Sequence, residues 1–205
     1  MLEQLLDTKD LIEKRKREGH TVALVHLSWD LMHSSHIQYM NTIRAKLQQR
    51  LKLDDKNIKL IVWVEADSRT MQRKKKENVN KEGERVYSFW NIKAVDHAFV
   101  EFEGVMWEME NEERPAWIVK YLDPSILVWH QEHLNSFTDY LWICRRLKAN
   151  NSDSKCLVIN YWDTQKYLLE DEVRSKYNRS TTNTIKQIFD LYRNNAKYNK
   201  NVLNQ

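Results

Sequence analysis

Apolar positions along the chain keep two different rhythms. Across residues 2–18, Leu2, Leu5, Leu6 and Ile12 return to one side of a helical period while charges fill the rest. This predicts an amphipathic helix, with Gly19 as its stop. Residues 21–27 are almost uninterruptedly apolar, as in a strand buried on both faces. A loop over 28–34 leads into a second helix over 35–51, where Ile37, Met40, Ile43 and Leu47 hold helical spacing. Further apolar runs predict strands at 59–65, 98–102, 126–129 and 155–161, with helices over 81–94, around 116–121, and over 137–149 and 182–192. The polar, basic segment 67–80 reads as a loop or mobile flap, and 193–205 as a frayed polar tail. Strands alternating with helices make βαβ units. The expectation is one α/β domain over 1–192, with a parallel sheet of about five strands and helices on both faces. No internal repeat or low-complexity linker divides it.

Composition narrows the class. With 205 residues, 41% hydrophobic and 11% aromatic, the chain can bury a core, and nothing suggests wholesale disorder. No apolar run approaches the ~18 residues needed to cross a bilayer, and acids stand at Glu3 and Asp7 where a signal peptide wants basic residues. A cytoplasmic location with no membrane partner is therefore expected. Cys144 and Cys156 have apolar neighbours and read as small core residues of a reducing compartment. The net charge of +4 is modest, with the basic excess gathered in Arg73, Lys74, Lys75, Lys76 and the tail after Tyr192. A nucleic-acid interface wants a wider basic footprint, whereas a few clustered lysines suit an anionic small molecule. Only three glycines occur, which matters because nucleotide sites often use glycine to let backbone approach phosphate.

Candidate chemistry gathers after the first strand. Ligands of open parallel sheets bind at the carboxyl ends of strands, beside helix N-termini, and Trp29, Asp30, Leu31, Met32, His33, Ser34, Ser35 and His36 occupy that place. Two histidines three apart at a helix start can turn both rings to one side. With the helix's unpaired N–H groups and positive dipole end, they form a donor cluster for phosphate oxygens. Such preorganised donors are worth ~2–4 kcal/mol each in comparable sites. The bland alternative is a capped helix start with incidental histidines. A zinc reading is weaker, because no further ligand falls close in sequence.

The segment resembles the cytidylyltransferase-like nucleotidylyltransferases, whose signature is a strand, a Phe-Asp-like pair and His-x-Gly-His opening a helix. Here the pair is Trp29 and Asp30, and the motif runs from His33 through Ser34 and Ser35 to His36. More landmarks follow in family order. Val64 to Ser68 is similar to the Asn-Ser-Asp strand end, and Lys74, Lys75 and Lys76 stand where the family has a substrate-phosphate lysine. Glu84 and Arg85, then Val95 and Asp96, resemble the Glu-Arg helix and its Val-Asp exit. Asp123 to Val128 resembles the Pro-Asp strand entry, and Arg179, Ser180, Thr181 and Thr182 resemble the Ser-Thr-Thr helix start.

The resemblance implies a three-layer Rossmann-like domain and transfer of a nucleoside monophosphate from a nucleoside triphosphate to a phosphorylated small molecule, releasing pyrophosphate. It implies that His33 and His36 contact the α-phosphate, and that Arg179, Ser180, Thr181 and Thr182 hold the β- and γ-phosphates. Ser28, Trp29, Asp30, Ser35 and Trp129 would line the nucleotide. Lys75 and Arg85, with Lys74, Lys76 and Asp67, would meet the acceptor. Asp30 would orient the loop or a divalent ion, and magnesium would arrive on the triphosphate, with few protein ligands. The helix before the first strand resembles the sugar-phosphate adenylyltransferase branch, of the heptose-phosphate type, which puts ATP first and CTP second, with a sugar or polyol phosphate as acceptor. The family commonly dimerises, which makes residues 104–114 a candidate interface insertion.

Three departures favour an alternative, a catalytically impaired relative that binds nucleotide or protein. Ser35 replaces the motif glycine, His26, Leu27 and Ser28 replace a glycine-bearing loop, and Trp129 to His133 replace a glycine-rich stretch. Each adds side chain where backbone is expected to approach the nucleotide. His130 and His133 with Cys144 or Cys156 make a poor metal set, because both cysteines read as core.

Overall fold

The computed structural model describes residues 2–75, 77–101, 113–130 and 155–159. Five strands form one sheet: β1 (Thr21–Leu27), β2 (Ile58–Val64), β3 (His97–Val100), β4 (Ile126–His130) and β5 (Lys155–Ile159). Every pairing is parallel, and the order across the sheet is β3-β2-β1-β4-β5. The chain winds outward from β1 through β2 to β3, then returns to lay β4 on the other side of β1. The reversal makes a switch point between β1 and β4, where the carboxyl ends of an open sheet leave a crevice.

Side chains alternate across this sheet, and each alternation feeds a separate core. Ala23, Val25 and Leu27 of β1, Leu60, Val62 and Val64 of β2, Ala98 and Val100 of β3, and Ile126 and Val128 of β4 face one way. They pack against α2 (Ser34–Leu51) and α4 (Glu82–Trp90). Val22, Leu24, Ile61, Trp63, Phe99 and Leu127 face the other way, onto α1 (Leu2–Arg17) and α5 (Glu113–Leu122). The unbroken apolar runs follow directly: a strand covered on both faces has no polar side to show. The layers are helix, sheet, helix.

The helices obey the periodicity with two exchanges of residue. In α1 the inner face is Leu5, Thr8 and Ile12, whereas Leu6 is 45% exposed. Thr8 survives full burial because its hydroxyl donates to the Gln4 carbonyl at 2.6 Å and lies 3.1 Å from His97 Nε2. In α2 the inner face is Tyr39, Met40, Ile43 and Leu47, and Ile37 is 43% exposed. Gly19, at φ 82°, does end α1: His20 N–H reaches back to the Arg15 carbonyl and Gly19 N–H to that of Lys16, a left-handed C-terminal closure.

The segment 67–80 differs from the expectation of a loop or flap. Its first half is a helix, α3 (Asp67–Lys74), closed by Lys75 in the left-handed region at φ 53°. Nothing in its apolar pattern announces it, because its buried residues are Arg69 and Thr70, which pack against carboxylates rather than against a hydrophobic core. The helix expected over 81–94 is shorter, ending at Trp90, and β3 stops at Val100. The helices expected over 137–149 and 182–192, the tail, and residues 104–112 of the candidate insertion lie outside the described residues.

At the opposite edge, Arg44 of α2 staples the sheet's amino end. It donates to the Ala94 carbonyl at 2.9 Å, to Asp96 Oδ2 at 2.8 Å, and to the carbonyls of Ile58 and Asp55 at 3.1 and 3.2 Å, and pairs with the Asp55 carboxylate. Asp96 also accepts from Leu60 N–H at 2.8 Å while its own N–H returns to the Leu60 carbonyl. The Val95–Asp96 landmark therefore serves β2–β3 pairing.

Candidate functional site

At the carboxyl end of β1, beside the switch point, the chain leaves the sheet through Ser28, Trp29 and Asp30 and enters α2. His33 caps the helix with extended backbone (φ −145°, ψ 172°). Its carbonyl accepts from His36 N–H at 2.9 Å, and its N–H donates to His36 Nδ1 at 3.3 Å. The two imidazoles stack with centroids 3.7 Å apart. Trp29 then stacks on His36 at 4.0 Å, meets Tyr39 edge-on at 5.3 Å and lies 5.9 Å from Phe89 of α4. The expected juxtaposition of the rings is present, and it is part of a larger aromatic stack.

The stack separates the roles of the histidines. His36 is 7% exposed. Burial, then the neighbouring His33, push its pKa down to about 3, against a hydrogen bond with the Leu31 backbone that favours the charged form. Because Nδ1 accepts an N–H, the proton of the neutral ring sits on Nε2. His33 is the half-buried partner at the helix mouth. There the first-turn amides have no intrahelical acceptor and the dipole favours an anion.

One strand away, the carboxyl end of β2 carries a charged network. Arg85, 1% exposed, donates from Nη2 to the Glu65 carbonyl and to Asp67 Oδ1, both at 2.7 Å. Its Nε and Nη1 are buried without a hydrogen-bond partner among the described residues. Asp67 opens α3 and clasps the start of α4 reciprocally: Asp67 N–H donates to Glu82 Oε2 at 2.9 Å, and Glu82 N–H to Asp67 Oδ2 at 3.2 Å. Asn78 adds a bond to Asp67 Oδ1 at 2.9 Å. Burial alone would raise the Asp67 carboxyl, but the donors Asn78, Glu82 N–H and Arg85 outweigh it and hold it below the usual range.

The same strand ends hold a cluster of which only Glu65 falls within a landmark of the sequence. Glu65 and Glu101, at the ends of β2 and β3, are 1% and 2% exposed, with Arg69 between them at 7%. Arg69 pairs with Glu65 at 3.5 Å and with Glu101 at 3.4 Å. Glu101 also accepts from Trp63 Nε1 at 3.2 Å and Ala66 N–H at 3.1 Å. Burial pushes Glu101 up to about 7 despite Arg69 and Ala66, and Glu65 adds to the rise.

Thus His33, His36, Trp29, Asp67 and Arg85 gather along adjoining strand ends. Asp30, 7% exposed, spends both carboxylate oxygens on the backbone N–H groups of Val79 and Asn80. These bonds tie the exit of β1 to the segment that leads into α4. Lys75 is exposed at the end of α3, and Lys74 is that helix's last residue. Ser28 and Ser35 lie in the β1 exit and the first turn of α2, and Trp129 pairs in register with Val158 near the end of β4. Lys76, Arg179, Ser180, Thr181 and Thr182 lie outside the described residues. Among the described residues no cluster of three or more His, Cys, Asp or Glu could hold a metal, and no helix is long and apolar enough to cross a membrane.

The strand order and the helices on both faces define a doubly wound α/β domain. Among solved structures, it is similar to a lipopolysaccharide core biosynthesis protein from Thermoplasma volcanium, at 22% identity over 69% of this chain and 97% of that one, with a TM-score of 0.43. It is also similar to a pantoate-beta-alanine ligase from Francisella tularensis, at 11% identity over 76% of this chain and 64% of that one, with a TM-score of 0.48. No family model and no curated protein matches the sequence.

Proposed function

We propose that the protein is a nucleotidylyltransferase that moves a nucleoside monophosphate from a triphosphate to a phosphorylated small molecule. ATP is the first choice of donor and CTP the second, with a sugar or polyol phosphate as acceptor. The observation that carries this reading is the stacked His33–His36 pair at the mouth of α2, at the carboxyl end of β1 beside the switch point. An acceptor phosphate oxygen would attack the α-phosphorus, the bond to the bridging oxygen would break, and pyrophosphate would leave. His33 and the first amides of α2 meet the charge growing on the α-phosphate, and the neutral His36 holds His33 in place through its N–H. Arg85 faces the acceptor's anion. Arg179, Ser180, Thr181 and Thr182 take the β- and γ-phosphates. Magnesium would enter bound to the triphosphate, with few protein ligands. A homodimer in the cytoplasm is the expected setting.

Pyrophosphate release with ATP or CTP, magnesium and a panel of sugar and polyol phosphates tests the reading. Release that disappears in His33→Ala supports it. Absence of release with every acceptor, together with no calorimetric heat from either nucleotide, sinks it. The packing of His36 between Trp29 and His33 favours a second reading, a relative that binds nucleotide without turning it over. Nucleotide heat without pyrophosphate would select it.

A further inference from the structure

Residues 77–81 join α3 to α4 and are tied down at several points. Asp30 Oδ2 accepts Val79 N–H at 2.9 Å and Oδ1 accepts Asn80 N–H at 2.8 Å, while the Asn80 side chain donates to the Asp30 carbonyl at 3.2 Å. Asn78, itself 7% exposed, bonds to the same Asp67 oxygen that receives Arg85 Nη2. The strap is thus tied to the carboxylate that Arg85 holds, and Arg85 Nε and Nη1 are buried without a hydrogen-bond partner among the described residues. A buried guanidinium with two unmet donor nitrogens is costly, because their N–H groups have left water and gained nothing in return. Two oxygens of a phosphate-type oxyanion match that fork and would remove the cost.

We propose that residues 77–81 are a latched cover over an oxyanion site centred on Arg85, and that Asp30 is the latch, a positioning residue that acts through the strap. The occupant is a phosphate-type oxyanion, which reaches Arg85 Nε and Nη1 when the strap lifts. This rests on the acceptor-side reading of Arg85 and adds how that side opens. The latch residue follows Trp29, whose ring lies on His36, so the cover is tied to the loop that leads to the histidine pair.

Hydrogen exchange of the wild-type protein, with and without inorganic phosphate, reads the cover directly. Phosphate is expected to speed exchange at the Val79 and Asn80 amides by about tenfold. Exchange that stays the same or slows overturns the proposal. Asp30→Asn keeps one acceptor and turns an amide N–H toward the other backbone donor. It should speed the same two amides without phosphate and tighten phosphate binding about tenfold in isothermal titration, because less of the binding free energy goes into opening. Arg85→Gln should abolish the phosphate heat. Phosphate binding that survives Arg85→Gln, or that weakens in an Asp30→Asn protein of unchanged circular dichroism, also overturns it. If either variant fails to fold, the wild-type exchange experiment decides. No readout requires turnover, so a chain that opens to phosphate yet releases no pyrophosphate would remove the transfer reading and leave the cover standing.

Discussion

Acidification distinguishes a charged His36 from a neutral spacer. The ring is 7% exposed, stacked on Trp29 at 4.0 Å and on His33 at 3.7 Å, and its Nδ1 accepts the His33 N–H. Burial and the His33 neighbour move its pKa from 6.5 to about 3. At ~1.4 kcal/mol for each pH unit, the folded state disfavours the imidazolium by about 5 kcal/mol. The sign follows from proton counting. Between pH 6.5 and 3 the unfolded chain takes a proton that the folded chain refuses, so this contribution is fully present above 6.5 and drains away as pH falls toward 3. Heteronuclear NMR of the imidazole nitrogens from pH 8 to 4, alongside urea unfolding, measures both halves. The ring should remain neutral with its proton on Nε2 throughout. A His36 midpoint near 6, or a proton on Nδ1, would refute the reasoning.

Two further outcomes follow from buried charge. Glu101 holds its proton in the folded state up to about 7, against 4.5 for an ordinary carboxyl, so its contribution is fully present below 4.5 and is lost as pH rises through 7. Glu101→Gln has no such titration: relative to wild type it should gain on the order of 3 kcal/mol between pH 4.5 and 7 in urea unfolding, and a pH-independent difference would count against the assignment. Arg44, with a side chain 14% exposed, leaves Asp96 and several carbonyls without their donor when removed. Arg44→Ala should cost about 2–4 kcal/mol and Arg44→Lys should recover only part, since an ammonium cannot fork to five acceptors. A loss below about 0.5 kcal/mol would show that the staple is only decorative.

What could be read from the sequence was whatever depended on apolar burial. β1 and β2 were legible because both faces of each strand are covered, leaving Val22 to Val25 and Leu60 to Val64 with no polar alternation. The exchanges of Leu6 for Thr8 and of Ile37 for Tyr39 show the limit of that signal. A hydroxyl with an acceptor one turn back can be buried, and a residue one step around a helix can face solvent while still satisfying a loose period. The helix α3 was illegible for the same reason: its inward residues, Arg69 and Thr70, are polar and their partners Glu65 and Glu101 lie on other elements. The histidine pair was visible as spacing at a helix start. The embrace of Val79 and Asn80 by Asp30 was not, because it pairs a side chain with backbone about fifty positions away, and backbone leaves no residue signature.

Trp29 and Asp30 explain why these separate features act together. They are adjacent in sequence, yet Trp29 packs on His36 of α2 and Phe89 of α4, while Asp30 bonds the strap that enters α4. On α4, Phe89 lies one turn beyond Arg85. The helix that carries Arg85 is therefore joined to the histidine helix by an aromatic contact, and its lead-in is joined to the same loop by hydrogen bonds to a carboxylate. The aromatic contact is insensitive to salt while the rings stay neutral, whereas the carboxylate contact is lost when Asp30 is replaced. Loosening Asp30 should accordingly free the strap while leaving the His33–His36–Trp29 stack assembled. Replacing Trp29 should disturb the histidines first and reach Arg85 only through Phe89.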